Sequence, residues 1–199
     1  MHVRITIVTG ATNFDAGLDF LKTDAIPTLR QQKGYRGMSA SGDRASGTLN
    51  ILTQWDTEAD MDASESGIEK VRRDAVDKTG GTMTVERYEQ LASEIKTPPT
   101  PGAKLHIREI KMDPSKIDEN LQFFKQVIVP EFMNSAGFLS MRNLMNRSTG
   151  EGRVGTIWAD DASLQAQLAQ TEQRRARAQE RGVTFGQDHI AELIFAAFE

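Results

Sequence analysis

Val3, Ile5 and Ile7 alternate with Arg4 and Thr6 near the start of the chain, and Leu105 and Ile107 alternate with His106 and Arg108 about a hundred residues later. A period of two carried by β-branched residues predicts a strand at each place. The period then changes. Phe14, Leu18, Leu21, Ala25 and Leu29 step by four, three, four and four, and Ile117, Leu121, Phe124, Ile128 and Phe132 repeat those steps. Each set is one apolar stripe on a helix. Asn13 and Asp113 stand where N-caps are expected, with Pro114 as a first helical residue. Pro27 and Pro130 come late in the stripes and predict a kink or an end.

After Gly34 and Gly137, which fit helix C-termini, two strands are predicted over 35–41 and 138–144. Turn residues follow at Asp43–Gly47 and Asn146–Gly150, and return strands at Thr48–Trp55 and Glu151–Trp158. A second helix is predicted from Asp56 or Thr57 to about Asp77, and its partner from Asp160 to about Glu180. Closing strands are predicted at Met83–Tyr88 and Ile190–Phe195.

The parallel is more than a matter of pattern. Sliding the chain by 103 residues brings Phe20, Lys22, Pro27, Gly34, Met38, Arg44 and Gly47 onto the same residue types. It also aligns Thr53 with Thr156, Trp55 with Trp158, Glu69 with Glu172, Arg72 with Arg175 and Ala75 with Ala178. Both tryptophans of the protein fall in register, against a chance match of about one position in sixteen. Three of the six prolines lie between the copies, at Pro98, Pro99 and Pro101, and read as an extended linker. The expected organisation is a first repeat over 1–95, a Pro-rich linker over 96–103 and a second repeat over 104–199. Each repeat reads β-α-β-β-α-β, the ferredoxin-like plan of one antiparallel sheet covered by two helices. One such sheet leaves a face bare. The predicted fold class is therefore α+β: two tandem ferredoxin-like units packed sheet to sheet as an intramolecular pseudo-dimeric α+β barrel.

Composition narrows the function classes. The 199 residues carry 24 basic and 28 acidic side chains, a net charge of −4, which argues against a nucleic-acid partner. The absence of cysteine excludes disulfides, thiolate metal ligands and a cysteine nucleophile. The longest apolar run is Leu193–Phe198, far below the roughly 18 residues of a membrane-spanning helix. No signal-peptide core is visible, so a soluble cytoplasmic protein without a membrane partner is expected.

The pattern resembles the antibiotic biosynthesis monooxygenase superfamily of dimeric α+β barrels, in a tandem-repeat form. The resemblance rests on the order of elements, the Gly-aromatic step at Gly34-Tyr35 and Gly137-Phe138, and the Arg-x-x-Gly turn at Arg44–Gly47 and Arg147–Gly150. It rests also on the tryptophan ahead of an acidic helix start, Trp55-Asp56-Thr57-Glu58-Ala59 and Trp158-Ala159-Asp160-Asp161-Ala162. It covers nearly the whole chain. It implies a cofactor-free oxygenase of an aromatic or quinol-like small molecule, or a non-catalytic small-molecule-binding or stress-related barrel. Many members carry a histidine about ten residues after the tryptophan, where Glu65 and Leu168 stand here. Haem degradation is thereby the least expected activity.

His106 and Arg108 share one strand face and are the candidate catalytic residues, His106 as a base near neutral pH. Trp158, Phe123, Arg142 and Trp55 are the candidate substrate-binding residues; each tryptophan has a plain alternative as helix–sheet core. No ligand spacing suggests a metal site, and no cofactor is expected. Arg174, Arg175, Arg177 and Arg181, interleaved with Glu172 and Glu180, read as an ion-paired helix face, with an anion pocket as the alternative. Seven of the nine phenylalanines lie in the second copy. A fused repeat is free of the symmetry a homodimer imposes, so the working pocket is expected in the second copy, where Arg4 and Thr6 are the first-copy counterparts of His106 and Arg108. The expected partner is a small aromatic molecule, and further pairing of the pseudo-dimer into a homo-oligomer is compatible with the pattern.

Overall fold

Each run of alternating residues forms a strand and each stripe a helix, in a computed structural model that describes residues 1–198. In the first copy β1 (His2–Thr9) leads to a helix built of α1 (Phe14–Phe20), a π-helical turn (Leu21–Ala25) and α2 (Ile26–Arg30). Then come β2 (Tyr35–Asp43), β3 (Thr48–Trp55), α3 (Glu58–Ala63), α4 (Glu65–Thr79) and β4 (Thr82–Ile95). The second copy repeats the order with β5 (Lys104–Lys111), a 3-10 turn (Pro114–Lys116), α5 (Ile117–Phe123), a π-helical turn (Phe124–Ile128) and α6 (Val129–Asn134). It continues through β6 (Phe138–Met145), β7 (Glu151–Trp158), α7 (Asp161–Ala169), α8 (Thr171–Gln179) and β8 (Thr184–Phe198).

The side-chain oxygens of Asn13, Asp113, Thr57 and Asp160 accept the backbone N–H groups that cap these helix starts. The prolines widen their helices rather than end them. Pro27 lacks an N–H and its ring would strike the carbonyl four residues back. The N–H of Ile26 reaches Leu21 O instead, and that of Val129 reaches Phe124 O, the five-residue bonds of a π turn. Gly34 and Gly137 take φ of 74° and 71°, open only to glycine at low cost. A Cβ at Gly34 would lie 2.7 Å from the Asp60 side chain.

The chain divides into two compact units. The first is Met1–Arg87 with the segment from Ile194 on, and the second is Tyr88–Leu193. Thus β4 begins in the first unit and finishes in the second, and β8 makes the return passage. Both are longer than their hydrophobic pattern predicts, because pairing rather than alternation extends them. Glu89–Ile95 pair with Ser140–Met145, and Thr184–Glu192 pair with β5. The strands follow the order β1-β3-β2-β8-β5-β7-β6-β4 and close as a barrel; the pairings within each copy are antiparallel.

Cross-strand register fixes which residues correspond. Arg4 lies opposite Thr53 and His106 opposite Thr156, each threonine two residues before its tryptophan. Arg4 and His106 are therefore structural equivalents, as are Thr6 and Arg108. The first strands correspond at an offset of 102 and the rest at 103, the added residue falling before α5. The first unit has one continuous apolar core. The second unit's core falls into two clusters, one around Phe132, Phe138 and Trp158, the other around Ile110, Ile117 and Met145. No helix among the described residues is long and apolar enough to cross a membrane.

Candidate functional site

A cavity of about 110 Å3 lies between the helices and the sheet of the second unit, walled by members of both core clusters. Ile110, Met112, Met145 and Val154 contribute from the sheet, Ile117, Leu121, Phe123, Phe124 and Ile128 from the first helix, and Phe185 from β8. The polar lining is His106, Arg108, Asn120, Asn143, Thr156, Gln167, Thr171, Arg174 and Arg175. An apolar hollow of about 150 Å3 accommodates benzene, so the space matches one aromatic ring after small side-chain adjustments.

His106 is 3% exposed. Its Nε2 lies 3.3 Å from Asp188 Oδ1 without hydrogen-bond alignment. Arg108 donates to the same carboxylate through Nε and Nη2 at 2.7 and 2.9 Å. Burial and then the Arg108 charge push His106 below its ordinary pKa of 6.5, and the Asp188 carboxylate only partly opposes them. The imidazole is thus neutral at pH 7. Burial would raise the Asp188 pKa, but the bonds and charge of Arg108 hold it below the ordinary range. The histidine proton is bound less readily folded than unfolded. Its contribution to stability is therefore present above about pH 6.5 and lost as pH falls through the lowered value. In urea titrations between pH 7 and 5.5, His106→Gln is expected to show a shallower loss of stability than the parent; parallel losses would contradict a depressed His106.

The sequence candidates separate in space. His106, Arg108 and Phe123 meet at the cavity. Trp158 and Trp55 are each 0% exposed, and neither belongs to the wall of this cavity or of its first-unit counterpart; Trp158 instead borders a separate open cleft with Glu131, Gln170 and Arg177. Trp158 packs edge-on against Phe132 and Phe138 and donates Nε1–H to Thr156 Oγ1 at 2.9 Å. Trp55 does the same with Tyr35 and Thr53, at 3.1 Å. Arg142 sits between Met141 and Asn143 on β6; Asn143 and Met145 line the cavity, so alternation turns Arg142 to the opposite sheet face. Burial lowers its pKa to about 10. Trp158→Phe removes a hydrogen bond and some packing, and is expected to cost about 2 kcal/mol of stability. Ligand affinity should stay within about threefold. Denaturant melts and a binding titration check this, and a tenfold loss of affinity at unchanged fold would contradict it.

Asp188, Asn143 and Gln167 carried no signal of their own in the sequence. The threonine two residues before each tryptophan was visible as the repeated pair Thr53 and Thr156. The arginine cluster proves mixed: Arg174 and Arg177 both bind Glu131, and Arg181 binds Glu119.

The first unit has the corresponding cavity at about 30 Å3, with Arg4, Val8, Leu21, Ile51, Thr53 and Arg72 among its walls. Arg4, 1% exposed, occupies the position of His106. It lies 5.4 Å from the Trp55 ring centroid and donates to Met61 O at 2.5 Å and Ser64 Oγ at 3.2 Å. It also pairs with Glu65 at 2.9 Å, and Glu65 is held by Arg72 and Arg87 as well. Burial lowers the Arg4 pKa to about 10, with Glu65 working against the shift.

No known family profile matches the chain. Two uncharacterized proteins of Mycobacterium tuberculosis are similar in sequence. One is 26% identical over 151 residues, 75% of this chain and 67% of its own length; the other is 25% identical over 179 residues, 89% and 76%. Among solved structures, a candidate monooxygenase from Fusobacterium nucleatum superposes with a TM-score of 0.72 at 11% identity, over 100% of this chain and 94% of that one. An anthrone oxidase-like protein gives 0.70 at 13% identity, over 99% and 92%. A ferredoxin-fold protein of Listeria monocytogenes related to antibiotic biosynthesis monooxygenases gives 0.54 at 12%, over 97% and 95%. The chain thus shares the fold of these structures, an α+β barrel.

Proposed function

We propose that the second unit's cavity binds a single-ring phenol or quinol and that the protein oxidises it with molecular oxygen, without a resident cofactor. The observation that carries this reading is a buried, neutral histidine set in the wall of a mostly apolar cavity that approaches the size of one ring, with a carboxylate beside its outer nitrogen. Likeness in fold to an anthrone oxidase-like protein supports oxygen chemistry of this type. His106 takes the phenolic proton, and the electron-rich phenolate reduces oxygen. A C–O bond forms at a ring carbon, the O–O bond and the C–H bond at that carbon break, and the ring proton and the proton held by His106 leave with the departing oxygen as water. A quinol and O2 thus give a hydroxyquinone and water, with the ring as the only reductant. Asp188 steadies the imidazolium formed midway, and Arg108 fixes Asp188.

A second reading has one observation in its favour. Both nitrogens that bond Asp188 commit the Arg108 guanidinium to an ion pair, as a purely structural or ligand-storing barrel would have it. Oxygen-electrode traces with methylhydroquinone, catechol and anthrone separate the readings. Uptake above the spontaneous rate with the single-ring compounds is expected. Flat traces throughout, with the rings bound, would leave the binding protein standing and remove the oxygenase.

A further inference from the structure

Arg175 occupies the cavity wall in a way no other cation there does. Of the basic residues lining the space, Arg108 is tied to Asp188, and Arg174 to Glu131, Gln167 and Gln170. His106 is neutral. Arg175 is half-buried, its guanidinium 5.1 Å from the centroid of the Phe185 ring, and among the described residues it has no carboxylate partner. The wall itself contains three arginines and a histidine and not one acidic side chain.

The repeat supplies an internal control. The first-copy counterpart of Arg175 is Arg72, and Arg72 also lines its own unit's cavity. There the charge is matched by Glu65, whose carboxylate binds both Arg72 and Arg4. In the second copy the residue at Glu65's position is Leu168. The same guanidinium position is therefore kept in both copies, but a carboxylate bound to it from behind the wall, Glu65, is present only in the first unit. A half-exposed guanidinium held against a ring face and by no carboxylate has N–H donors to offer an anion, and the larger cavity beside it leaves room for one.

From this we infer that the second unit's ligand is an aromatic acid, with its ring in the apolar cavity and its carboxylate on Arg175. The inference rests on the proposed reading of this cavity as the binding site and names its ligand class. A guanidinium binds a carboxylate through two parallel N–H donors, which an ammonium does not reproduce.

Titration calorimetry with gentisate (2,5-dihydroxybenzoate) and its neutral amide is the test, on the parent protein, Arg175→Gln and Arg175→Lys. The parent is expected to bind the acid about tenfold or more tightly than the amide. Arg175→Gln should abolish that preference while binding the amide as the parent does, and Arg175→Lys should restore it in part. Equal binding of acid and amide by the parent, or an acid preference that survives Arg175→Gln, would overturn the inference and leave the cavity reading intact. Failure of the parent to bind either compound would overturn both.

Discussion

Replacing His106 by glutamine is expected to slow quinol-dependent oxygen uptake by about 10²-fold or more. The ring's dissociation constant should move by no more than about threefold, because the cavity's contact surface is mostly apolar. The substitution keeps a polar side chain of similar reach next to Asp188 and removes only the group able to accept and return a proton. The parent's rate should be flat above pH 7 and fall as the pH drops through the lowered pKa of His106, where the base is lost to protonation. Asp188→Asn should act in the same direction with a smaller loss, since it changes the support of the imidazole rather than the imidazole itself. Steady-state rates and equilibrium titrations on the same preparations separate turnover from binding. A His106→Gln protein that turns over within threefold of the parent would remove the histidine from the chemistry.

The largest effect on stability is expected in the first unit, at Glu65→Leu. This places at position 65 the residue that the second copy carries at 168. In the second copy leucine packs on the apolar cluster around Phe132, Phe138 and Trp158, and the residue in Arg4's place is a neutral histidine. In the first it would leave the Arg4 guanidinium, 1% exposed, without its carboxylate. Stranding one member of a buried pair costs about 3 kcal/mol, at the low end of the usual range because Glu65 itself is partly in water. Removing both charges should cost less. Arg4→Met combined with Glu65→Leu is expected to recover at least about 2 kcal/mol of the loss, since apolar replacements of buried ion pairs are often neutral. Urea unfolding of the two single variants and the double variant measures the coupling. Additive losses would mean that Arg4 is held by its bonds to Met61 and Ser64 rather than by Glu65.

The fold was legible because it is written in periods. Alternation at Val3–Ile7 and the four-three-four-four stripes at Phe14 and Ile117 depend on local spacing alone, and the repeat corroborated each element with its twin. The full lengths of β4 and β8 were not legible. Glu86, Glu89, Gln90 and Glu94 do not alternate with apolar residues, and their strand state comes from partners distant in sequence, such as β6. The site was legible in part for the same reason. His106, Arg108 and Phe123 stood out by type and strand face. Asp188 did not, because its role depends on β8 lying beside β5. The tryptophans drew attention by their register, yet register at a strand end is equally the mark of a core residue. Arg142 was one residue out of phase: on a strand, the neighbour of a lining residue faces the other way. The most informative contrast, Glu65 against Leu168, was visible as a difference but had no meaning until Arg4 was seen to fill the space.

On the proposed function, the second unit holds the working site and the first has closed its own. A crystal of the protein soaked anaerobically with methylhydroquinone tests it directly. One ring is expected, in the second unit, with a hydroxyl within hydrogen-bond distance of a His106 nitrogen and its faces against Phe123 or its apolar neighbours, while Arg4 stays in place on Trp55. A ring in the first unit beside a displaced Arg4, or a ring bound elsewhere with the His106 cavity left empty, would contradict it.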